Sequence, residues 1–131
     1  MKTVKQLALF LENKPGTLSK VCEALAQAKI NIYAISISDA VDHAVMRIVV
    51  SDPQKALHLL GERGVLVIER DVFMIAGRNK PGELADIAAK LARHKVNIEY
   101  AYSATAANAT TGAMILRVDN PTKAARILKG H

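Results

Sequence analysis

The feature that most narrows what this chain can fold into is an internal repeat. Asn13-Lys14-Pro15-Gly16-Thr17-Leu18 returns sixty-six residues later as Asn79-Lys80-Pro81-Gly82-Glu83-Leu84. Asn31-Ile32 returns at the same offset as Asn97-Ile98, and Asp52-Pro53 returns as Asn120-Pro121 at an offset of sixty-eight. The two extra residues fall between those landmarks, where the stretch 39–43 faces the longer run 104–112. A repeat this long makes each half a complete structural unit rather than one turn of a solenoid. Residues 1–70 are read as the first repeat and 71–131 as the second. Units this small bury proportionately little surface, so each gains from packing on the other or on a second chain.

Taken in order, the stretch 6–11 is a short apolar run suited to a central strand, ended by Pro15-Gly16. Leu18, Val21, Cys22, Leu25 and Ala28 then keep helical spacing. The β-branched stretch 30–38 and the run 44–50 read as strands. Asp52-Pro53 has the form of a helix start, with Asp as N-cap and Pro at the first position. Gly64 stands where a C-terminal glycine belongs, and 65–68 is a fourth strand. The second half repeats the order: a strand at 72–76, a helix carrying Leu84, Ile87, Ala88 and Leu91, two more strands, and a helix from Asn120-Pro121. It stops before any counterpart of 65–68, so the second repeat lacks its last strand. The predicted class is α+β: two ferredoxin-like βαββαβ repeats, each an antiparallel sheet with its helices on one face.

Composition excludes several functions. The net charge of +6 divides into +2 over 1–66 (8 basic, 6 acidic) and +4 over 67–131 (10 basic, 6 acidic), with the signs interspersed. No Lys/Arg block is interleaved with aromatics, so no nucleic-acid partner is expected; Tyr100 and Tyr102 are read as core or interface aromatics rather than a base-stacking face. Cys22 is alone and offers neither a disulfide nor a thiolate metal site. His43, His58, His94 and His131 lack metal-ligand spacing, and no nucleophile stands beside an evident base. An enzyme, a metal site and a cofactor are all therefore unexpected. No run approaches the ~20 apolar residues that span a bilayer, nor is a signal peptide visible, so a cytoplasmic protein without a membrane partner is expected.

Each Pro-Gly turn leads from a strand into a helix. A helix N-terminus leaves N–H groups unpaired and carries partial positive charge, and a glycine there leaves room for a carboxylate or phosphate to approach. One glycine per turn and no Gly-x-x-x-x-Gly-Lys run favour a small carboxylate over a triphosphate. The bland alternative is that Pro-Gly only shapes the turn. A helix from Gly16 to Lys29 is ~20 Å long, so Asn31 lies at the opposite end of its unit from the Asn13–Gly16 turn. Two units packed edge strand to edge strand about a two-fold axis would bring Asn97 to the turn at 13–18 and Asn31 to the turn at 79–84. An Asn offers the donor and acceptors that an ammonium-plus-carboxylate compound requires. The alternative for each Asn is a turn residue tolerating an unusual backbone angle after a helix.

Asn-Lys-Pro-Gly-x-Leu, a helix, then Asn-Ile opening a strand resembles the ACT domain, a ferredoxin-like regulatory module of amino-acid metabolism, and does so twice. The resemblance implies a stand-alone tandem ACT protein: a non-catalytic, allosteric regulator binding an amino acid at the junction of two modules. Carried over by motif position, Asn13, Pro15, Gly16 and Leu18 would meet Asn97 and Ile98, while Asn79, Pro81, Gly82 and Leu84 would meet Asn31 and Ile32. A homodimer is implied, because Glu69-Arg70-Asp71 gives the repeats little linker; whether the sites form within a chain or between chains stays open. The alternative is a ligand-free interaction subunit of an amino-acid metabolic enzyme, similar to the small subunit of acetolactate synthase. The repeats also differ at Glu12 and Arg78, one residue before each turn. A positive Arg78 favours a carboxylate nearby, so the two sites need not bind equally.

Overall fold

The computed structural model describes all residues, 1–131. The elements run β1 (Lys2–Glu12), α1 (Thr17–Gln27), β2 (Ile32–Asp39), β3 (His43–Val50), α2 (Pro53–Glu62), β4 (Leu66–Arg78), α3 (Glu83–Arg93), β5 (Ile98–Ala104), β6 (Thr111–Val118) and α4 (Pro121–Ile127). They form two compact units: Lys5–Arg70, called the first unit below, and Asp71–His131 together with Met1–Val4, called the second.

In the first unit the strand order is β2-β3-β1-β4. β3 runs antiparallel to both neighbours, with Leu9 opposite Met46 and Ile35 opposite Ile48. Period-two side chains of β1 and β3 meet the apolar stripe of α1 and α2, and Leu7, Leu9, Leu25, Met46, Ile48 and Leu60 are fully buried in that core. In the second unit β4, β6 and β5 lie in that order, with Phe73 opposite Leu116 and Ala101 opposite Leu116 on the other side. Its core gathers Ile75, Ile87, Leu91, Leu116, Ala124 and Leu128. The ferredoxin-like arrangement expected from the pattern is the one found.

Two features differ from the pattern's outline. The strands expected at 65–68 and 72–76 are one continuous strand, β4, with 66–70 in the first unit and 71–78 in the second. The run expected at 6–11 extends back to Lys2, and its first residues belong to the second unit, where β1 is the neighbour of β4. They stand beside β4 in the second unit as residues 66–70 stand beside β1 in the first. An unpaired strand edge is a row of unmet donors and acceptors, which β1 here satisfies. The Met1 ammonium also donates to the His131 carbonyl, tying the chain's first residue to the end of the second unit.

The helix ends explain the local sequence. The Asp52 carboxylate accepts from Lys55 N–H at 3.1 Å, and the Asn120 amide oxygen accepts from Lys123 N–H at 3.1 Å, each before a proline at the first helical position. α2 closes through Gly64 at φ 77°, with Val65 N–H donating to Leu60 O and Gly64 N–H to Gly61 O. The same pair of bonds closes α1 through Lys29 and α3 through Lys95, both at φ 59°. The residues that take the unusual backbone angle after the helix are therefore these lysines, and Asn31 and Asn97 follow two residues later.

Candidate functional site

Each Pro-Gly turn is built the same way. Asn13 and Asn79 follow the strand, Lys14 and Lys80 accept the reverse bond from Thr17 and Glu83 N–H at 3.4 Å, and the helix starts two residues after the proline. Pro15 and Pro81 thus shape the approach and do not occupy the first helical turn. Gly16 (φ 88°) and Gly82 (φ 89°) are the N-caps, in the left-handed region that only glycine enters freely. A Cβ at either would meet nothing within 4 Å, so backbone angle, rather than close approach within the chain, is what demands glycine.

The remaining motif residues divide by what they touch. Asn79 Nδ2 donates to Ala109 O at 2.7 Å, with Ala106 O and Ala107 O each at 3.3 Å, fixing the β5–β6 loop over the turn; Asn13 Nδ2 reaches Ala40 O at 3.5 Å. Ile32 and Ile98 pack against the cores of their own units. Leu18 and Leu84, expected on the buried helix stripe, are instead 40% and 50% exposed beside their turns. Within each unit the turn and the Asn-Ile pair are not brought together. Asn13 sits at the β2–β3 loop end, whereas Asn31 sits where β3 passes into α2.

Asn31 and Asn97 are held rigidly by their backbones. Asn31 N–H donates to Ser51 Oγ at 2.9 Å and its carbonyl accepts from Ser51 N–H at 2.9 Å. Asn97 N–H donates to Asp119 Oδ1 at 3.0 Å and its carbonyl accepts from Asp119 N–H at 3.1 Å. Both side-chain amides remain exposed and make no hydrogen bond within the chain.

Sequence reasoning missed Glu83. It is only 7% exposed, its Oε2 accepts from Arg78 N–H at 2.6 Å, and Arg78 Nε lies 3.4 Å away. The Arg78 N–H bond, joined by the charges of Arg78 and Lys80, holds the Glu83 carboxyl below the usual carboxylate range against the opposing effect of its burial. The carboxylate that Arg78 was expected to attract is thus the chain's own. The signal was available: the repeat places Thr17 where Glu83 stands. In the first unit a cavity of about 370 Å³ opens beside the turn, lined by Glu12, Lys14, Thr17, Lys20 and Arg63 over an apolar floor that includes Val21 and Leu60.

The chain matches the model of the ACT domain pair over residues 2–130. It belongs to that family. Among solved structures, this ACT domain pair is similar to a Bacteroides thetaiotaomicron protein at 38% identity and TM-score 0.91, over 97% of this chain and 87% of that one. It is also similar to the regulatory subunit of aspartate kinase from Thermus flavus, at 25% identity and TM-score 0.63 over 94% and 86% of the two chains. The ligand-free regulatory subunit of aspartate kinase from Thermus thermophilus shares the fold at 23% identity and TM-score 0.68, over 97% and 95%. No curated protein matches the chain. An ACT domain pair is a regulatory module. No helix of this one is long and apolar enough to cross a membrane.

Proposed function

We propose that this ACT domain pair is a non-catalytic, cytoplasmic amino-acid sensor. A Pro-Gly turn of one module and the Asn-Ile strand start of another hold the ligand between them. The observation that carries it is the state of Asn31 and Asn97, each with its backbone pinned by two hydrogen bonds and its side-chain amide exposed and unbonded. A preorganised polar group with nothing in its own unit to bind is what a ligand's carboxylate and ammonium require. Exposed Leu18 and Leu84 beside the turns supply apolar contact for the ligand's side chain. Binding would act by favouring one assembly over another, in this chain or in an enzyme it contacts, which demands that the ligand prefer one of the two states.

The rival is an interaction subunit without a ligand of its own, and one feature favours it. β2 is the outermost strand of its unit, and its Ile35 and Ile37 share the face of buried Ile48 and Met46 yet remain exposed, with Tyr33 exposed beside them. Such an edge suits strand pairing with a second copy or with an enzyme. A thermal-shift screen against the twenty amino acids separates the two. A ligand confined to the folded state raises the melting temperature by mass action. Stabilisation by one or two related amino acids, lost in Asn97→Ala, is the expected result. A flat response across the panel would leave the interaction subunit, to be pursued by co-purification.

A further inference from the structure

We infer that the two Pro-Gly turns are unequal: Glu83 fills at the second turn the place that a ligand's carboxylate takes at the first. This rests on the amino-acid binding proposed above and adds which turn accepts the ligand. At the second turn Glu83 is nine-tenths buried, and it already receives the Arg78 N–H at 2.6 Å and faces the Arg78 guanidinium. A second carboxylate arriving there would meet like charge and a donor already in use.

The first turn has the same backbone and different chemistry. Thr17 stands in place of Glu83, and its short side chain makes no hydrogen bond. Glu12 replaces Arg78; it lines the same cavity, and its exposed carboxylate is paired with Lys14 at 3.0 Å. Lys20 replaces Asp86, and neither Lys20 nor Arg63 pairs with a carboxylate. Positions 12, 14, 17 and 20 carry a net charge of +1, and their counterparts 78, 80, 83 and 86 carry none. Arg63 adds a further positive charge on the wall of the 370 Å³ cavity beside Thr17. In the second unit a cleft of about 480 Å³ along the helix is lined by Arg78, Asp86, Lys90, Arg93, Lys129 and His131, and Glu83 lies outside it. Neither cleft lacks room or positive charge; what separates the turns is that Glu83 supplies a carboxylate at the second, while at the first Thr17 leaves that place to a ligand, beside a cavity with an apolar floor.

The test is the exchange of the two residues, read by backbone amide NMR during titration with each of the twenty L-amino acids and by calorimetric stoichiometry. In the wild type, amides at 12–18 should shift while those at 78–84 stay still, with one ligand bound per chain. Glu83→Thr should add shifts at 78–84 and raise the stoichiometry to two. Thr17→Glu should abolish the response at 12–18, which keeps the idea exposed to refutation should Glu83→Thr fail to fold. Shifts at both turns of the wild type would overturn the inequality and leave amino-acid binding standing. No shift at either turn in the wild type or in Glu83→Thr would sink both.

Discussion

Replacing Gly16 isolates a purely backbone effect. The residue sits at φ 88° and ψ −17°, and an added Cβ would touch nothing within 4 Å. Sterics with the rest of the fold therefore drop out, and only the left-handed backbone cost remains. For an L-residue that cost is ~1–2 kcal/mol. Alanine also restricts the unfolded chain, which returns ~0.4–1 kcal/mol. Gly16→Ala should thus lose about 0–1.6 kcal/mol, a fall of roughly 3–5 °C in melting temperature per kcal/mol at this chain length. Gly16→Asn should lose less, because Asn tolerates this region, and Gly16→Val more, because β-branching does not. Urea unfolding followed by far-UV circular dichroism measures all three, and suits a chain without tryptophan. Alanine more stable than glycine, or Asn as damaging as Val, would refute the conformational account. The same reasoning makes Gly16→Val a poor probe of ligand binding, since it strains the turn itself. Asn97→Ala removes an exposed, unbonded amide and leaves the backbone bonds in place.

Leu25→Ala and Leu91→Ala each empty a fully buried position in a separate core and should cost ~2–5 kcal/mol apiece by urea denaturation; a loss under 1 kcal/mol would contradict the packing described. Asp52→Ala and Asn120→Ala each remove a side-chain cap and should cost ~0.5–2 kcal/mol, with α4, the shorter helix, fraying more in amide exchange. Because folding lowers the Glu83 pKa, its ionised form stabilises the protein above the unfolded value of ~4.3, and that contribution is lost as pH falls through the folded value. The stability gap between wild type and Glu83→Gln should then be present at neutral pH and close in acid; a gap independent of pH would count against the Arg78 contact. Deleting Met1–Val4 should speed amide exchange along 71–78 relative to β6, and unchanged protection there would show that β4 does not depend on β1.

The repeat, the element order and both Pro-led helix starts were legible because each rests on local chemistry. A capping Asp or Asn before Pro, a glycine in a turn and a 3.6-residue apolar period act over a few neighbouring residues, so the chain announces them. The two glycines in particular are readable as turn formers, although only the φ values say that backbone angle, and not a close approach, is what they serve. The ACT resemblance followed from the same local motifs counted twice.

Long-range pairing was a different matter. Met1–Val4 has no alternation to mark it as a strand, and nothing local says that it completes the sheet of the unit more than sixty residues away. That partnership is decided by which edge is left open once β4, β6 and β5 have paired. Lys29 and Lys95 carry positive φ because the Ile30 and Val96 N–H groups must reach back to close their helices, a demand no lysine announces. Glu83 reads in sequence as one more surface acid. Only the folded turn, by setting the Arg78 N–H before it and the core around it, makes a buried and ionised carboxylate of it while leaving Thr17 open in the other repeat.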